Sequence, residues 1–212
     1  MKTLLVTGGT GGLGTLVVER LARDYRCVLL TREETAGDSV HVDLSDEASV
    51  RAAVGEAVSR FGAPYGLVHM AGGFAGGAVS ETTTETWQSM LGLNLNSAFF
   101  VIRETLKAMP REAPGRIVAI SSIATLKKAH KSAAYAISKG GLNALIELTA
   151  AELAGTPITA NALLPDTLDT PASRKAMPAA RRVPLGSVAE TIVFLLSEAG
   201  ANVNGALIPM PA

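Results

Sequence analysis

A tyrosine and a lysine stand four residues apart, at positions 135 and 139, in a segment with helical spacing. Side chains at positions i and i+4 of a helix share a face, so these two would lie side by side. Tyrosine has a pKa of about 10, poorly matched to proton transfer at neutral pH, and a neighbouring ammonium would lower it. Tyr135 and Lys139 are therefore a candidate acid–base pair, and Ser122, thirteen residues before Tyr135, supplies a further hydroxyl.

A second chemical feature is the glycine-rich stretch Thr7–Gly14, which follows an apolar run and opens a helical pattern. Glycines permit a tight turn and a close approach of the backbone to a phosphate, while a helix N-terminus offers free N–H groups and partial positive charge. This position between strand and helix predicts a dinucleotide-binding loop. Its cofactor contacts are predicted at Gly8, Thr10, Gly11, Gly12, Leu13 and Gly14.

The elements that must position these groups alternate between short apolar runs and helical patterns. Strands are predicted at Leu4–Thr7, Cys27–Thr31, Ser39–Val42, Leu67–Met70, Arg116–Ser121 and Ile158–Leu163, with an edge strand at Ala206–Pro209. Helices are predicted at Leu13–Arg23, from Ser45 to about Phe61, and at Thr84–Met109, Ser132–Leu153 and Val188–Glu198. The alternation indicates an α/β protein with a doubly wound, Rossmann-like parallel sheet that binds ligands at the carboxyl ends of its strands. The connection Arg32–Asp38 is too short for a crossover helix.

Length and composition narrow the class of protein. The 212 residues predict a single domain over residues 1–212, and 48% hydrophobic against 18% charged residues excludes a disordered chain. No apolar run approaches the roughly 18 residues of a membrane span, and a net charge of zero leaves no basic footprint for nucleic acid. The lone Cys27 excludes an internal disulfide and a cysteine-rich zinc site, so no metal is expected. The apolar start is too short for a secretory signal, which favours the cytoplasm.

The ordered set of motifs resembles the short-chain dehydrogenase/reductase family from about residue 3 to residue 208. Thr7–Gly14 has the frame Thr-Gly-x-x-x-Gly-x-Gly, and Tyr135 and Lys139 form Tyr-x-x-x-Lys with Ser122 at the expected distance. The resemblance implies an NAD(P)H-dependent oxidoreductase that transfers a hydride to a small carbonyl or quinonoid substrate. Tyr135 would be the general acid/base of this reaction.

The same resemblance implies the roles of further residues. Lys139 would also hold the nicotinamide ribose hydroxyls, Ser122 would hydrogen-bond the substrate carbonyl, and Asn94 would anchor a proton-relay water chain through its helix backbone. The other implied cofactor contacts are Asp43 and Leu44 at the adenine, Ala71 and Gly72 beside the adenosine ribose, and Pro165, Leu168 and Thr170 over the nicotinamide.

The end of the second strand bears on the choice of cofactor. An acidic residue there would bind the ribose 2′-hydroxyl of NAD, but the strand ends at Thr31-Arg32, with no acid before Glu33. Arg32 could accept a 2′-phosphate and Thr31 could hydrogen-bond it. We therefore expect NADPH to be preferred, with NADH possible.

The segment Ala71–Gly77 resembles the corresponding stretch of quinonoid dihydropteridine reductases. Phe74 would then face a flat heterocycle at the pocket mouth, although it could equally be an apolar loop anchor. The presence of Ser122, and of Thr31 where that group carries an aspartate, instead fits general carbonyl reduction. A strict dihydropteridine reductase, a 3-oxoacyl thioester reductase and, more remotely, a non-catalytic nucleotide-sensing regulator or an isomerase stay open.

Other positions bear on partners. The run Lys127–Lys131 could attract an anionic substrate or could be an ordinary solvated loop. His69 stands where the family usually has asparagine and is predicted to be a packed histidine. The resemblance implies that Thr84–Met109 and Ser132–Leu153 pair across a two-fold axis in a homodimer or homotetramer, although their apolar faces could equally be internal core.

Overall fold

In a computed structural model the chain forms one seven-stranded, all-parallel sheet; the residues described are 1–33, 35, 37–127 and 131–212. The strands are β1 (Lys2–Thr7), β2 (Tyr25–Thr31), β3 (Ser39–His41), β4 (Gly66–His69), β5 (Gly115–Ile120), β6 (Ile158–Pro165) and β7 (Leu207–Met210). Their order in the sheet is β3-β2-β1-β4-β5-β6-β7. The doubly wound parallel sheet is thereby confirmed.

Helices cover both faces of the sheet. They are α1 (Gly12–Leu21), α2 (Glu47–Phe61), α3 (Thr84–Leu91), α4 (Ser97–Ala108), α5 (Ala124–Lys127), α6 (Ala133–Glu152), α7 (Pro171–Ala176) and α8 (Leu185–Leu196). Apolar side chains of α1 and α8 form one core layer, and those of α2, α4 and α6 form the other. No described helix combines the length and the apolar character needed to cross a lipid bilayer.

In sequence β2 and β3 lie between β1 and β4, yet β1 and β4 are neighbours in the sheet. The direction in which successive strands are added reverses at this point. Thr7 pairs directly with His69 at the carboxyl ends of these strands. In an open parallel sheet, the crevice beyond such a reversal is where ligands bind. The glycine-rich loop after β1 and the Ala71–Gly73 segment after β4 therefore meet at one point.

The shortened second crossover is also present as expected. Between β2 and β3 the described residues include no helix, and Leu29 N–H donates to the carbonyl oxygen of Asp38 (2.9 Å). Without a covering helix, Cys27 and Leu29 on one face of β2 stay only partly buried. The adenosine side of the crevice is correspondingly open.

Two helical predictions need correction, and two short helices, α5 and α7, were not predicted. The long helix Thr84–Met109 is interrupted by a π-helical turn, Gly92–Asn96, between α3 and α4. The last helix begins at Leu185, directly after Pro184, rather than at Val188, because Gly186 and Ser187 in its first turn hide the apolar pattern. The short helix α7 is not foreseen, since none of its residues is buried and its start depends on capping by Thr170.

Candidate active site

The glycine-rich loop is built by close backbone contacts. Gly8 has φ +69°, and a Cβ there would lie 2.7 Å from the backbone nitrogen of Ala71. A Cβ on Gly14 would overlap the carbonyl oxygen of Gly8. Gly11 caps α1 without a side chain, so the first amides of α1 face an open backbone cradle. This cradle, whose backbone packing leaves no room for a Cβ at Gly8 or Gly14, fits a pyrophosphate at a helix N-terminus.

Thr10 and Leu13, the predicted loop contacts that are not glycines, differ in burial. Thr10 is exposed at the rim of the loop, whereas Leu13 is buried in the α1 and α8 core layer. Leu13 therefore anchors the first turn of α1 beneath the cradle, whereas the Thr10 side chain is open to solvent.

The predicted adenosine contacts lie at the ends of β2 and β3. Asp43 accepts hydrogen bonds from the backbone N–H (2.9 Å) and the hydroxyl (2.7 Å) of Ser45. These bonds lower the pKa of Asp43, and the charge of Arg32 adds to the effect. Thr31 accepts a hydrogen bond from the N–H of Glu33 (3.1 Å), and Leu44 packs against the core. The positive charge of Arg32 therefore acts on the Asp43 carboxylate beside the open edge.

At the other end of the crevice Lys139 is almost fully buried, and its ammonium donates to the carbonyl oxygen of Ile120 (2.8 Å). Burial lowers the pKa of Lys139 to about 8. A Cβ on Gly72 would lie 3.1 Å from Lys139 Nζ and 2.6 Å from Asn94 Oδ1. Gly72, Asn94 and Lys139 therefore converge on one narrow region.

Tyr135 and Ser122 adjoin this region. Tyr135 is half-buried in the first turn of α6, and the backbone N–H of Ala124 donates to Ser122 Oγ (3.2 Å). Burial raises the pKa of Tyr135, and a hydrogen bond with Ser122 opposes that rise. The expected lowering of the Tyr135 pKa by Lys139 is therefore wrong for the protein alone, because desolvation of the phenol dominates.

Asn94 lies in the π-helical turn and is fully buried. Its side chain clamps Gly73: Nδ2 donates to the carbonyl oxygen (3.0 Å) and Oδ1 accepts from the N–H (2.9 Å). Nδ2 also donates to Ser138 Oγ on α6 (3.1 Å). Such π-helical turns are rare and occur often at functional sites. Here the turn ties the loop after β4 to the helix that carries Tyr135 and Lys139.

The segment after β6 closes the crevice from above. Pro165 is the last residue of β6, and Leu168 forms an isolated bridge with Val183. Thr170 caps α7 by accepting a hydrogen bond from the N–H of Ser173 (3.1 Å). A Cβ on Gly12 would lie 3.3 Å from Thr170 Cγ2. The cap of α7 therefore packs directly on the glycine-rich loop, as a segment that covers a bound dinucleotide should.

A cleft of about 670 Å³ lies between the loop after β4, the start of α6 and the segment after β6. This volume is within the range of small-ligand sites. Phe74 is 69% exposed at its mouth, and its ring meets the ring of Tyr135 edge-on, with centroids 5.0 Å apart. The lining includes Met70, Gly72, Phe74, Ser122, Ile123, Lys127, Lys131, Tyr135, Lys139, Asp166, Leu168, Ser173 and Met177. The sequence did not predict Ser173 and Met177 as cleft residues, because α7 and the residue after it show no apolar periodicity that would indicate a helix here.

The lysine run is only partly described, since residues 128–130 lie outside the described residues. Lys127 forms an ion pair with Asp166 (2.8 Å) across the cleft mouth. Lys131 has a left-handed backbone, with φ 55°. Both lysines line the cleft, so the described part of the run belongs to the rim of the pocket.

His69 is fully buried at the end of β4, as predicted for a packed histidine. Its Nδ1 lies 2.9 Å from Thr7 Oγ1, which also accepts a hydrogen bond from the N–H of Ala71 (3.4 Å). Burial, assisted by the charge of Lys139, lowers the pKa of His69 to about 3. His69 is therefore neutral, and it braces the strand ends from which the two cofactor loops depart.

Because the folded pKa of His69 is below that of an unfolded histidine, the unfolded chain binds a proton that the folded chain refuses. We expect the free energy of unfolding to fall as the pH drops from about 6.5 towards 3, with His69 contributing about 1.4 kcal/mol per pH unit. Urea denaturation at several pH values measures this slope. His69→Asn should reduce the slope by that amount, whereas His41→Asn, at an exposed position, should not. Equal slopes in wild type and His69→Asn would contradict the expectation.

Comparison with known proteins agrees with this geometry. The family model described as short chain dehydrogenase matches residues 2–181. The 3-oxoacyl-[acyl-carrier-protein] reductase MabA of Mycobacterium tuberculosis is 30% identical over 224 aligned positions, covering 99% of this chain and 91% of that protein.

Two solved structures are similar over nearly the whole chain. A variant of actinorhodin polyketide ketoreductase with NADPH is 28% identical with a TM-score of 0.90, over 98% of this chain and 95% of that one. A 3-ketoacyl-(acyl-carrier-protein) reductase from Brucella melitensis, complexed with NADH, is 25% identical with a TM-score of 0.87, over 99% and 96%. The likeness therefore includes both the cofactor loops and the cleft.

Proposed function

Because this chain belongs to the short-chain dehydrogenase/reductase family of NAD(P)-dependent oxidoreductases, we propose that it reduces a small carbonyl or quinonoid substrate, with Tyr135 as the general acid. The observation that carries the proposal is the meeting of Ser122, Tyr135 and Lys139 in one cleft, whose lining residue Thr170 packs on Gly12 of the glycine-rich loop. Residues 1–212 would together form the cofactor-binding and catalytic unit. When bound there, the nicotinamide supplies the hydride.

The chain's own groups supply the proton and the polarisation. With its pKa raised by burial, Tyr135 carries its proton at neutral pH and can donate it to the substrate oxygen as negative charge develops there. The Ser122 hydroxyl, held by the N–H of Ala124, can hydrogen-bond the same oxygen. The two hydroxyls thereby orient the carbonyl on one side of the cleft.

Lys139 and Asn94 would support the proton donor. The buried ammonium of Lys139 would bind ribose hydroxyls of the cofactor, and its charge would help to stabilise the Tyr135 phenolate after proton donation. The contacts of the Asn94 side chain with Gly73 and Ser138 keep the π-helical turn in place. Its backbone would hold the first water of a chain through which a proton from solvent returns to the Tyr135 phenolate by way of Lys139. The dinucleotide would be bound by the remaining predicted contacts, which are Gly8 to Gly14, Asp43, Ala71, Pro165, Leu168 and Thr170.

The experiment that tests this function follows NADPH and NADH oxidation at 340 nm with a panel of acceptors. The panel contains a quinonoid dihydropterin, simple ketones and acetoacetyl thioesters. Oxidation that needs both enzyme and acceptor, with equimolar alcohol or tetrahydropterin as product, supports the proposal. Tight cofactor binding without turnover of any acceptor would favour a nucleotide-sensing regulator instead, and isomerised product without net cofactor oxidation would favour an isomerase.

We propose NADPH as the preferred cofactor. Arg32 follows β2 without an acidic residue before it, next to Thr31 and close enough to lower the pKa of Asp43. The open edge left by the short second crossover gives a 2′-phosphate room beside the guanidinium. NADPH would pair its phosphate with Arg32, whereas NADH has no 2′-phosphate to offer this cation.

Arg32→Ala should raise the KM for NADPH about tenfold and leave the KM for NADH within about twofold, because a charge-assisted hydrogen bond contributes about 1.5–3 kcal/mol. Initial rates at varied cofactor concentration measure both constants. Arg111→Ala removes a cation elsewhere on the surface and should change neither constant. An unchanged NADPH to NADH ratio in Arg32→Ala would clear Arg32 of this role.

Two substrate classes have support. The exposed Phe74 ring beside Tyr135 suits a flat heterocycle such as a quinonoid dihydropterin. The name of the relative MabA and the presence of Ser122 favour a 3-oxoacyl thioester. In the panel, Phe74→Leu should weaken turnover of the dihydropterin more than that of the thioester if the ring stacks on the heterocycle.

We also propose that the protein associates as a homodimer or homotetramer. Three apolar side chains on this side of the molecule are exposed and are not internal core. The exposed fractions are 45% for Leu93 in the π-helical turn, 42% for Phe99 on α4 and 63% for Leu148 on α6. Scattered apolar residues are normal on a surface, but these lie on the helices that the family pairs across its two-fold axis.

Sedimentation velocity at micromolar concentration should give at least twice the 21.8 kDa chain mass. Leu148→Asp should shift the population to the monomer, because an isologous contact places the new charge at the interface twice. Phe194→Asp, on α8, should leave the dimer intact. A monomer mass for the wild-type protein would overturn the proposal.

A further inference from the structure

Charged groups at the cleft mouth are not used by the proposed reduction chemistry. Lys127, Lys131 and Asp166 all line this mouth. Lys127 Nζ lies 2.8 Å from Asp166 Oδ2, so these two charges neutralise each other. Within the described parts of the chain, no carboxylate lies at ion-pair distance from Lys131. The described residues at the mouth therefore carry two positive charges and one negative charge.

The backbone of Lys131 is held in an unfavourable conformation. It is the one non-glycine residue with positive φ among those described, at 55°, and such a conformation costs an ordinary side chain about 1–2 kcal/mol. Its carbonyl oxygen accepts a hydrogen bond from Gly77 N–H (2.8 Å), and Ala133 N–H donates to the carbonyl oxygen of Gly77 (3.0 Å). This bridge fixes Lys131 in the cleft wall, four residues before Tyr135. Strain of this kind persists where the surrounding structure enforces it, and it clusters at binding sites.

Among the described residues that line the cleft, the interior offers an anion no other cation free for pairing. Met70, Ile123, Leu168 and Met177 contribute apolar lining. The buried ammonium of Lys139 is engaged with the carbonyl oxygen of Ile120 and is reserved for the cofactor in the proposed function. A substrate anion would therefore be stabilised at the mouth, where it keeps contact with water and meets Lys131, rather than deeper in the cleft.

We infer that the substrate is a ketone bearing a carboxylate remote from the carbonyl, and that Lys131 selects for this carboxylate. The inference rests on the proposed carbonyl reduction and adds the class of substrate. The carbonyl lies at Tyr135 and Ser122, the carbon frame lies along the apolar lining, and the carboxylate pairs with Lys131. Lys131 lies at the mouth of the cleft before the first residue of α6, whereas Tyr135 lies inside that helix. A carboxylate separated from the carbonyl by several carbons, as in a γ-keto or ring keto acid, therefore suits the site better than that of an α-keto acid.

The test compares 4-oxocyclohexanecarboxylate with its methyl ester, two cyclic ketones that differ in charge. For each, kcat/KM is measured with saturating cofactor in wild type, Lys131→Asn and Lys131→Arg. Asparagine tolerates the left-handed conformation but removes the cation, whereas arginine keeps the cation. The ratio of the two kcat/KM values cancels any general change in folding or cofactor binding. Lys2→Met removes the same charge at the opposite end of the sheet, where Lys2 lies over the ring of Tyr65.

We expect wild type to favour the keto acid about tenfold, and this preference should shrink as salt concentration rises. Lys131→Asn should lower the acid-to-ester ratio about tenfold, while Lys131→Arg and Lys2→Met should retain it. An acid-to-ester ratio near one in wild type, or an unchanged ratio in Lys131→Asn, would overturn the inference. If ketones in the panel are reduced but the acid is not preferred, only this inference fails. If no acceptor is reduced, the proposed function fails with it.

Discussion

Tyr135→Phe is expected to lower kcat by about 10³-fold or more and to change the Kd for the cofactor by less than about threefold. The substitution removes only the phenolic O–H, and the phenylalanine ring can keep the edge-on contact with Phe74. Without the O–H, hydride transfer would leave an alkoxide with no positioned proton donor. General acid catalysis contributes about 10²–10⁴-fold, and Tyr135→Phe removes the group that supplies it in the proposed reaction.

The comparison needs two measurements on the same protein. Single-turnover reduction reports the chemical step, and titration of the cofactor fluorescence reports its Kd. Tyr25→Phe is the matched control: Tyr25 O–H donates to the carbonyl oxygen of Leu196 (3.0 Å) far from the cleft, so its loss should not alter kcat. A rate close to that of wild type in Tyr135→Phe would rule out Tyr135 as the proton donor, whatever the substrate.

The parts of the site that could be predicted from sequence are those set by local spacing. Thr7–Gly14 needs no tertiary information, because a strand followed by glycines and a helix already defines the cradle. Tyr135 and Lys139 share a face of α6 for the same reason. The strands β5 and β6 are buried along their whole length and are mostly apolar, as expected for parallel strands covered on both sides.

The parts that could not be predicted depend on what surrounds a residue. The sign of the Tyr135 pKa shift depends on how deeply the phenol is desolvated, and spacing from Lys139 does not report burial. The π-helical turn at Asn94 inserts into an otherwise regular helical pattern, so periodicity passes over it. Likewise, the left-handed Lys131 is held by a bridge to Gly77, which is distant in sequence.

The buried ammonium of Lys139 is a place where function and stability conflict. Burial lowers its pKa from 10.5 to about 8, and this difference corresponds to about 3 kcal/mol of unfavourable free energy for the folded, charged form. The charge-assisted hydrogen bond to the carbonyl oxygen of Ile120 recovers about 1.5–3 kcal/mol, which offsets much but not all of that cost. A protein under selection for stability alone would have an apolar side chain at this position.

Lys139→Met is accordingly expected to abolish turnover and yet to raise the free energy of unfolding at pH 7 by about 1 kcal/mol. Methionine has a similar length and no charge to desolvate, and it loses the hydrogen bond to Ile120. The sign depends on pH. Between about 8 and 10.5 the unfolded chain binds more protons at this position than the folded chain, so wild type gains stability with rising pH. The advantage of the variant should therefore shrink across that window and vanish above it.

Urea denaturation of wild type and Lys139→Met at pH 7, 9 and 10.5, with cofactor absent, measures this difference directly. Lys175→Met, at an exposed position on α7, removes a lysine without relieving any burial and should shift stability by less than about 0.5 kcal/mol. A Lys139→Met variant less stable than wild type at pH 7, by an amount independent of pH, would show that the ammonium is well accommodated in the fold. Loss of activity together with a pH-dependent gain in stability would instead identify Lys139 as a charge kept in the interior for the cofactor and for Tyr135.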